Sequence, residues 1–262
     1  MNKKMKLLAE THTHTIACSH AYNSISEMLE RAKQLGLELI AITDHAPSIP
    51  DAPHEYHFLN LKALPRKIDG IYVLQGAEVN IIDSEGNLDL PEMVLARLDL
   101  VITSFHEAAL SEEISEDYTE AYINVLKNPY VDIIGHCGTP EFPFDIDKVL
   151  NEAKKQDKII EINNHSFATR KGSLENCLKI AKRCAELGVK IVISTDAHSI
   201  YEMARTEVAQ ELVKRAGVSE DLIMNLTAEK FISYLCKRKG FKRSRFESEE
   251  PFGLPTLDVF NK

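Results

Sequence analysis

No stretch of this sequence approaches the roughly 20 consecutive apolar residues that span a bilayer. The basic start, residues 1–6, is followed by no apolar run long enough for a secretory leader. Cysteine is sparse: the five present are an odd number and lack the tight spacing of a secreted disulfide framework. These absences predict a reduced, cytoplasmic protein with no membrane partner. Positive charge is in deficit, with 31 Lys and Arg against 40 Asp and Glu, a formal net charge of −9 and an isoelectric point near 5.6. That balance argues against a nucleic-acid partner, which needs clustered cations. It leaves small anionic substrates open, because bound divalent cations reverse the local field. No Pro- or Ser-rich linker interrupts the chain before residue 240. Residues 1–240 are therefore expected to form one domain. Residues 241–262, where composition turns to mixed charge with Pro251, Gly253 and Pro255, are expected to form a peripheral tail.

What is present suits a single large domain: 262 residues, 44% of them hydrophobic, can bury a substantial core without disulfides. Short apolar runs at 7–10, 37–43, 71–77, 99–105, 131–135, 158–162 and 190–195 read as strands, the second near-continuous as in strands buried on both faces. Ser24 and Glu27 form a capping box for a helix that runs to about residue 35 and is closed by Gly36. Amphipathic stretches at about 115–127, 146–156 and 173–187, the last followed by Gly188, read as further helices. Seven strands alternating with helices predict a parallel sheet. Closed on itself, it is a TIM-like (β/α)7 barrel of the α/β class. Residues 46–66, rich in Pro and His, form the longest loop, and a loop of that length is usually functional or a lid.

Six of the seven strand candidates end in His, Asp or Glu. In βα barrels the C-terminal ends of the strands converge on one face, where active sites sit. His12, His14, His20, His45, Glu78, His106, His136, Asp196 and His198 are therefore expected to meet. His12 and His14 lie two apart, as do Asp196 and His198, so each pair points the same way from its strand end. Any one of these histidines reads equally well as a hydrogen-bonded, half-buried side chain. A histidine acting without a metal would need only one or two companions. Nine ligands are too many for one tetrahedral zinc. They suit two or three ions with a bridging carboxylate.

The motifs His12-Thr13-His14, Thr43-Asp44-His45, the strand end at Glu78, His106, His136 and Asp196-Ala197-His198 resemble, in order, the metal motifs of the PHP (polymerase and histidinol phosphatase) superfamily. The likeness is closer to its YcdX-type phosphatases. It takes in Ser19-His20-Ala21-Tyr22, Asp51-Ala52-Pro53-His54, Glu161-Ile162-Asn163-Asn164 and Arg170-Lys171-Gly172-Ser173, and spans about residues 7–240. The resemblance implies a distorted TIM-like (β/α)7 barrel, hydrolysis of phosphate monoesters and three divalent metal ions, with zinc foremost and manganese or iron as alternatives. Carried over, His12, His14, Glu78 and Asp196 hold one ion, and His20, His45 and His198 a second. Glu78 bridges to a third, held also by His106 and His136. A homotrimer is implied as well. Two positions depart from the pattern: His165 stands where a small Ser is expected, and Cys137 where relatives tend to have Pro. Both leave substrate preference open.

The expected mechanism is attack on phosphorus by a metal-bound hydroxide on a small phosphorylated substrate, with no phosphoenzyme. Arg170 is the candidate cation for the phosphate, since a planar guanidinium grips two oxygens at once; the bland alternative is an arginine capped onto the following helix. Lys171 reads as solvated, and Ser173 as a helix N-cap. Asp44 is a candidate to orient a ligand imidazole, or else a turn residue. His165 is a candidate substrate contact, and His54 and His57 are weaker candidates for proton donation. Cys18 and Cys137 read as packing residues, and Cys177, Cys184 and Cys236 as helix fill. The basic cluster from Lys237 to Arg245 reads as a solvated tail end neutralised by Glu247, Glu249 and Glu250. Two other functions fit parts of the pattern: a phosphodiesterase or nuclease of the polymerase-associated branch, and a non-catalytic metal-binding regulatory module.

Overall fold

In a computed structural model that describes residues 5–111 and 116–251, the seven apolar runs form seven parallel strands. The strands are β1 (Ala9–Glu10), β2 (Leu39–Ile42), a short β3 (Lys67–Ile68), β4 (Ile71–Asn80), β5 (Leu100–Ser104), β6 (Ile133–Ile134), β7 (Ile159–Asn163) and β8 (Lys190–Ser194). Their order is β1-β2-β4-β5-β6-β7-β8, with β3 an antiparallel addition to β4. The helices are α1 (Ile25–Leu35), α2 (Glu55–Asn60), α3 (Glu92–Leu95), α4 (Thr119–Lys127), α5 (Ile146–Lys155), α6 (Ser166–Thr169), α7 (Ser173–Leu187), α8 (Glu207–Arg215) and α9 (Ala228–Lys239). None of the described helices is long and apolar enough to cross a membrane.

Local signals set the boundaries. Glu27 N–H donates to the Ser24 hydroxyl (3.4 Å) and Ser24 N–H to the Glu27 carboxylate (2.7 Å), which completes the capping box of α1. Gly36 ends that helix at φ 69°, a conformation that costs a residue with a Cβ. The sheet closes between β1 and β8 in two different ways. At the top, His14 N–H donates to Ala197 carbonyl (2.9 Å) and Ala197 N–H to His12 carbonyl (3.3 Å). Lower down, the buried Asn225 side chain fills the seam. Its Nδ2 donates to Ala9 and Ile193 carbonyls (3.0 and 2.6 Å), and its Oδ1 accepts from Ile193 N–H (3.1 Å). A side-chain amide thus stands in for the ladder that the two short strand ends lack, and the barrel is nearly closed.

Alternation along the strands divides the core. Ile40, Ile42, Val73 and Ile160 face outward, to the helices, whereas Leu39, Leu74, Leu100, Ile133 and Val192 face a second cluster sealed by Phe231 and Leu235 of α9 and by Phe246. Each large side chain so buried contributes about 1.5–3 kcal/mol.

Two expectations need correction. The chain after residue 240 is not peripheral at its start: Phe246 is fully buried and Arg66 N–H donates to Ser248 carbonyl (3.0 Å). The expected tail from residue 252 onward lies outside the described residues. Nor is the basic cluster simply solvated. Arg238 and Lys239 pair with Asp132, and Arg245 with Asp99 (2.6 Å), both acids fully buried. Buried acids need such partners, and cations more than 100 positions further along the chain supply them here. The long 46–66 segment is built, not loose, since Phe58 of α2 and Leu61 anchor it in the core.

Candidate metal centre

Seven imidazoles meet at the C-terminal end of the barrel. Ring centroids link His12 to His14 (5.1 Å), His14 to His45 and His198 (4.2 Å each), His198 to His20 (4.8 Å), His45 to His106 (5.0 Å) and His106 to His136 (4.9 Å). Glu78, near the end of the long strand β4, lies among them: Oε2 is 2.9 Å from His45 Nδ1 and 3.3 Å from His12 Nε2, and Oε1 is 2.9 Å from His136 Nε2. Asp196 Oδ1 is 3.1 Å from His14 Nε2 and 3.5 Å from His12 Nε2. All nine residues expected from the sequence come together.

These contacts are close, yet several are not hydrogen bonds. His12 Nε2, both ring nitrogens of His14, His45 Nδ1, Glu78 Oε2 and Asp196 Oδ1 are buried without a hydrogen-bond partner. Leaving such atoms unpaired is costly. They form sets within 4.8 Å of one another: His12, His14, Glu78 and Asp196; His45, Glu78 and His106; His14, His45 and His198; and His14, Cys18 and Asp44. The first set equals one ligand group implied by the resemblance. The others regroup it, because His45 stands between Glu78 and His198.

Protonation favours cations. Burial alone would raise the carboxyls, but His12, His45 and His106 hold Glu78 well below the ordinary carboxylate range, and His12 and His14 do the same for Asp196. Burial holds His14 and His106 well below the usual imidazole value, so both are neutral. Ionised carboxylates and neutral imidazoles are the ligating forms. His12, although buried, is raised well above its usual value by Glu161, Asp196 and Glu78. That is the response of a negative pocket to any positive charge placed in it.

The surroundings fix the rings. His12 Nδ1 lies 2.6 Å from Glu161 Oε1, His106 Nδ1 is 2.7 Å from Asn80 Oδ1, His20 Nδ1 is 2.6 Å from Asp51 Oδ2, and His198 Nδ1 is 2.9 Å from the Asp196 carbonyl. Ser104 hydroxyl donates to Glu78 Oε1 (2.6 Å). Glu161, Asn80 and Asp51 were not identified as site residues from sequence. Glu161 carried a usable signal, a carboxylate inside the apolar run of β7. Asn80 carried another, lying two residues beyond Glu78 on the same side of β4. Two of the nine residues, His136 (φ 23°) and Asp196 (φ 50°), hold left-handed backbone conformations, and strain of this kind clusters at functional sites.

A cleft of about 1170 Å³ opens above the cluster, lined by His106, Asp196, His198, His165, Arg170 and Lys171 among others. Arg170 is not capped onto the following helix. Its Nη1 donates to Ser166 Oγ of α6 (2.9 Å), with the side chain along the cleft wall. His165 also lines the cleft, 3.8 Å from Glu202, whose other oxygen accepts from His198 N–H (2.9 Å). Asp44 is a correction: its carboxylate accepts from Thr15 N–H (2.6 Å) and Thr15 hydroxyl (2.9 Å) and lies 3.1 Å from His57 Nε2, and it does not hydrogen-bond the His45 ring. It ties the loop after β1 to α2. His57 is thereby engaged away from the cleft, and His54 accepts from Tyr56 N–H (3.2 Å) as the cap of α2. Ser173 is not the N-cap of α7: Gly172 holds that position at φ 96°. Cys18 and Cys137 are both buried; Cys18 is more than packing, since its Sγ accepts from His45 N–H (3.2 Å).

The chain's relationships agree with this geometry. The family model described as PHP domain matches residues 10–165. A probable phosphatase of Thermoanaerobacter sp. (strain X514) is 52% identical over 238 residues, 90% of this chain and 97% of the relative. A probable phosphatase of Acetivibrio thermocellus is 48% identical over 235 residues, 90% and 98% of the two chains. Among solved structures, histidinol phosphate phosphatase of Lactococcus lactis, complexed with zinc, L-histidinol and phosphate, superposes with a TM-score of 0.54 at 17% identity, covering 80% of this chain and 94% of its own. A chain of an archaeal ribonuclease P with mature tRNA reaches 0.55 at 14% identity, covering 95% and 98%. At such identities the structures share the fold alone.

Proposed function

The chain belongs to the PHP domain family, and from that premise we propose that it is a metal-dependent phosphatase hydrolysing phosphate monoesters at a centre for three divalent ions. The observation that carries this reading is the group of buried, unpartnered nitrogen and carboxylate oxygen atoms converging beneath the cleft. A donor set of imidazoles and carboxylates suits zinc foremost, and manganese or iron as well. His12, His14, Glu78 and Asp196 would hold one ion, His20, His45 and His198 a second, and His106 and His136 with Glu78 a third. Ions held by these residues would supply positive charge that lowers the pKa of water to roughly 7 and neutralises phosphate oxygens.

The protein's own part is orientation. Ser166 holds one end of the Arg170 guanidinium and leaves the rest of its fork for phosphate oxygens over the cluster. Glu161, Asn80 and Asp51 fix the rings of His12, His106 and His20. His165, steadied by Glu202, stands on the cleft wall where a leaving group would lie. No nucleophilic side chain is needed.

The test is hydrolysis of an aromatic phosphomonoester by metal-stripped protein reloaded in turn with Zn²⁺, Mn²⁺ and Fe²⁺. Turnover should return with metal and be at least about 100-fold lower in Asp196→Ala, which removes a ligand and its charge. Stoichiometric metal binding without turnover would reject the reading. Faster cleavage of single-stranded DNA than of monoesters would replace it with a diesterase.

A further inference from the structure

A second cleft, of about 630 Å³, lies near the opposite end of β4 and β5 from the metal centre. Four cations line it, Lys62, Arg66, Arg97 and Arg245, together with apolar Leu59 and Ala96 over the buried Phe58 and Leu98, and among the described residues no carboxylate is in its lining. In a chain of net charge −9 that is an unusual concentration of positive charge. The two inner arginines are held in place. The fully buried Asp99 accepts from Nε of Arg66 (2.9 Å) and Nε of Arg245 (2.6 Å). Arg66 Nη2 donates to Gln75 (2.9 Å) and Arg245 Nη2 to the Arg97 carbonyl (2.7 Å), while neither Nη1 enters this network. One carboxylate between two guanidiniums leaves an excess of charge. The outer pair, Lys62 and Arg97, is exposed, and among the described residues neither side chain has an ion pair or hydrogen bond.

Fixed guanidiniums beside uncommitted cations over an apolar floor suit a ligand with a dianionic head and an apolar body. We propose that this cleft is a second ligand site, one that binds a phosphorylated small molecule independently of the metal centre. Lys62 and Arg97 close on the phosphate from the outer side, Arg66 and Arg245 from the inner side, and the half-buried Leu59 and exposed Ala96 flank the organic part. Gln75, which fixes Arg66, lies three positions before Glu78 on β4, so the two sites share one strand.

Phenylphosphonate has this chemistry and a C–P bond that a phosphatase does not cleave. Its binding to the metal-loaded protein would be followed by calorimetry at low salt, in the native protein and in a Lys62→Ala/Arg97→Ala variant. The variant should lose one class of sites, with affinity weakened about 100-fold for the two charge-assisted contacts removed. Its turnover of an aromatic monoester should be unchanged. Identical isotherms in the two proteins would overturn the proposal, as would a single site per chain that the variant retains.

Discussion

Nδ1 of His12 lies 2.6 Å from Oε1 of Glu161, and both side chains are fully buried. The contact joins residues 149 positions apart and directs His12 Nε2 towards Glu78 and Asp196. Glu161 also accepts from Ser194 hydroxyl (2.5 Å) and His136 N–H (2.7 Å), so one carboxylate aligns three strand ends.

The isosteric change Glu161→Gln places an amide N–H where only acceptors fit, and removes the charge that favours the cationic site. Metal affinity, measured by competition with a chelating indicator, should fall about 10–100-fold while the fold remains. Native affinity would show that Glu161 does not position a ligand.

Gly135 shows the same dependence from the backbone side. A Cβ there would collide with Ser104 Oγ, the hydroxyl that donates to Glu78, and with Ile102 Cγ2. Gly135→Ala must push Ser104 aside or displace His136, the next residue. We expect at least about 1–3 kcal/mol of destabilisation from the overpacking, together with weaker metal binding. Urea denaturation and metal titration would check both, and a variant native in both would place the site's rigidity elsewhere.

Much of this was legible because its signals are local. The capping box at Ser24, the stop at Gly36 and the acid or histidine closing six of the seven apolar runs are each written within a few residues, and a barrel turns strand ends into neighbours. What could not be read depends on long-range pairing. Nothing near Asn225 says that it fills the seam between β1 and β8. Nothing near Asp44 says that His57 rather than His45 is its partner. Arg238 and Lys239 looked solvated because Asp132 lies more than 100 positions earlier. A buried ion pair can be assigned from sequence only when both partners are nearby, and here they are not.

Arg170 tests the phosphate end of the site. Held by Ser166 and lining the cleft, it should bind the substrate's oxygens through charge-assisted bonds, so Arg170→Ala should cost about 1.5–3 kcal/mol in kcat/KM. Metal content should not change. An unchanged kcat and KM would leave Arg170 without a role in the reaction.

Lys158 makes a prediction about pH and stability away from the metal ligands. Its side chain is almost fully buried, and its ammonium donates to the carbonyls of Asn128 and Val131 (2.6 Å each). Burial, with Arg238 adding repulsion, brings its pKa down from 10.5 to about 7. A base with a lowered folded pKa is penalised while it carries its proton. Between about pH 7 and 10.5 the unfolded chain binds more protons at this position than the folded chain, so the contribution of Lys158 to stability rises with pH across that window. Other groups titrate there too, so the informative quantity is a difference. Lys158→Met keeps the length of the side chain without the charge. Its unfolding free energy, compared with the native protein's by urea titration at several pH values, should show a flatter rise or a steeper fall above pH 7. Parallel pH profiles for the two proteins would mean that Lys158 keeps its ordinary proton affinity, with Asp132 and the two carbonyls offsetting its burial.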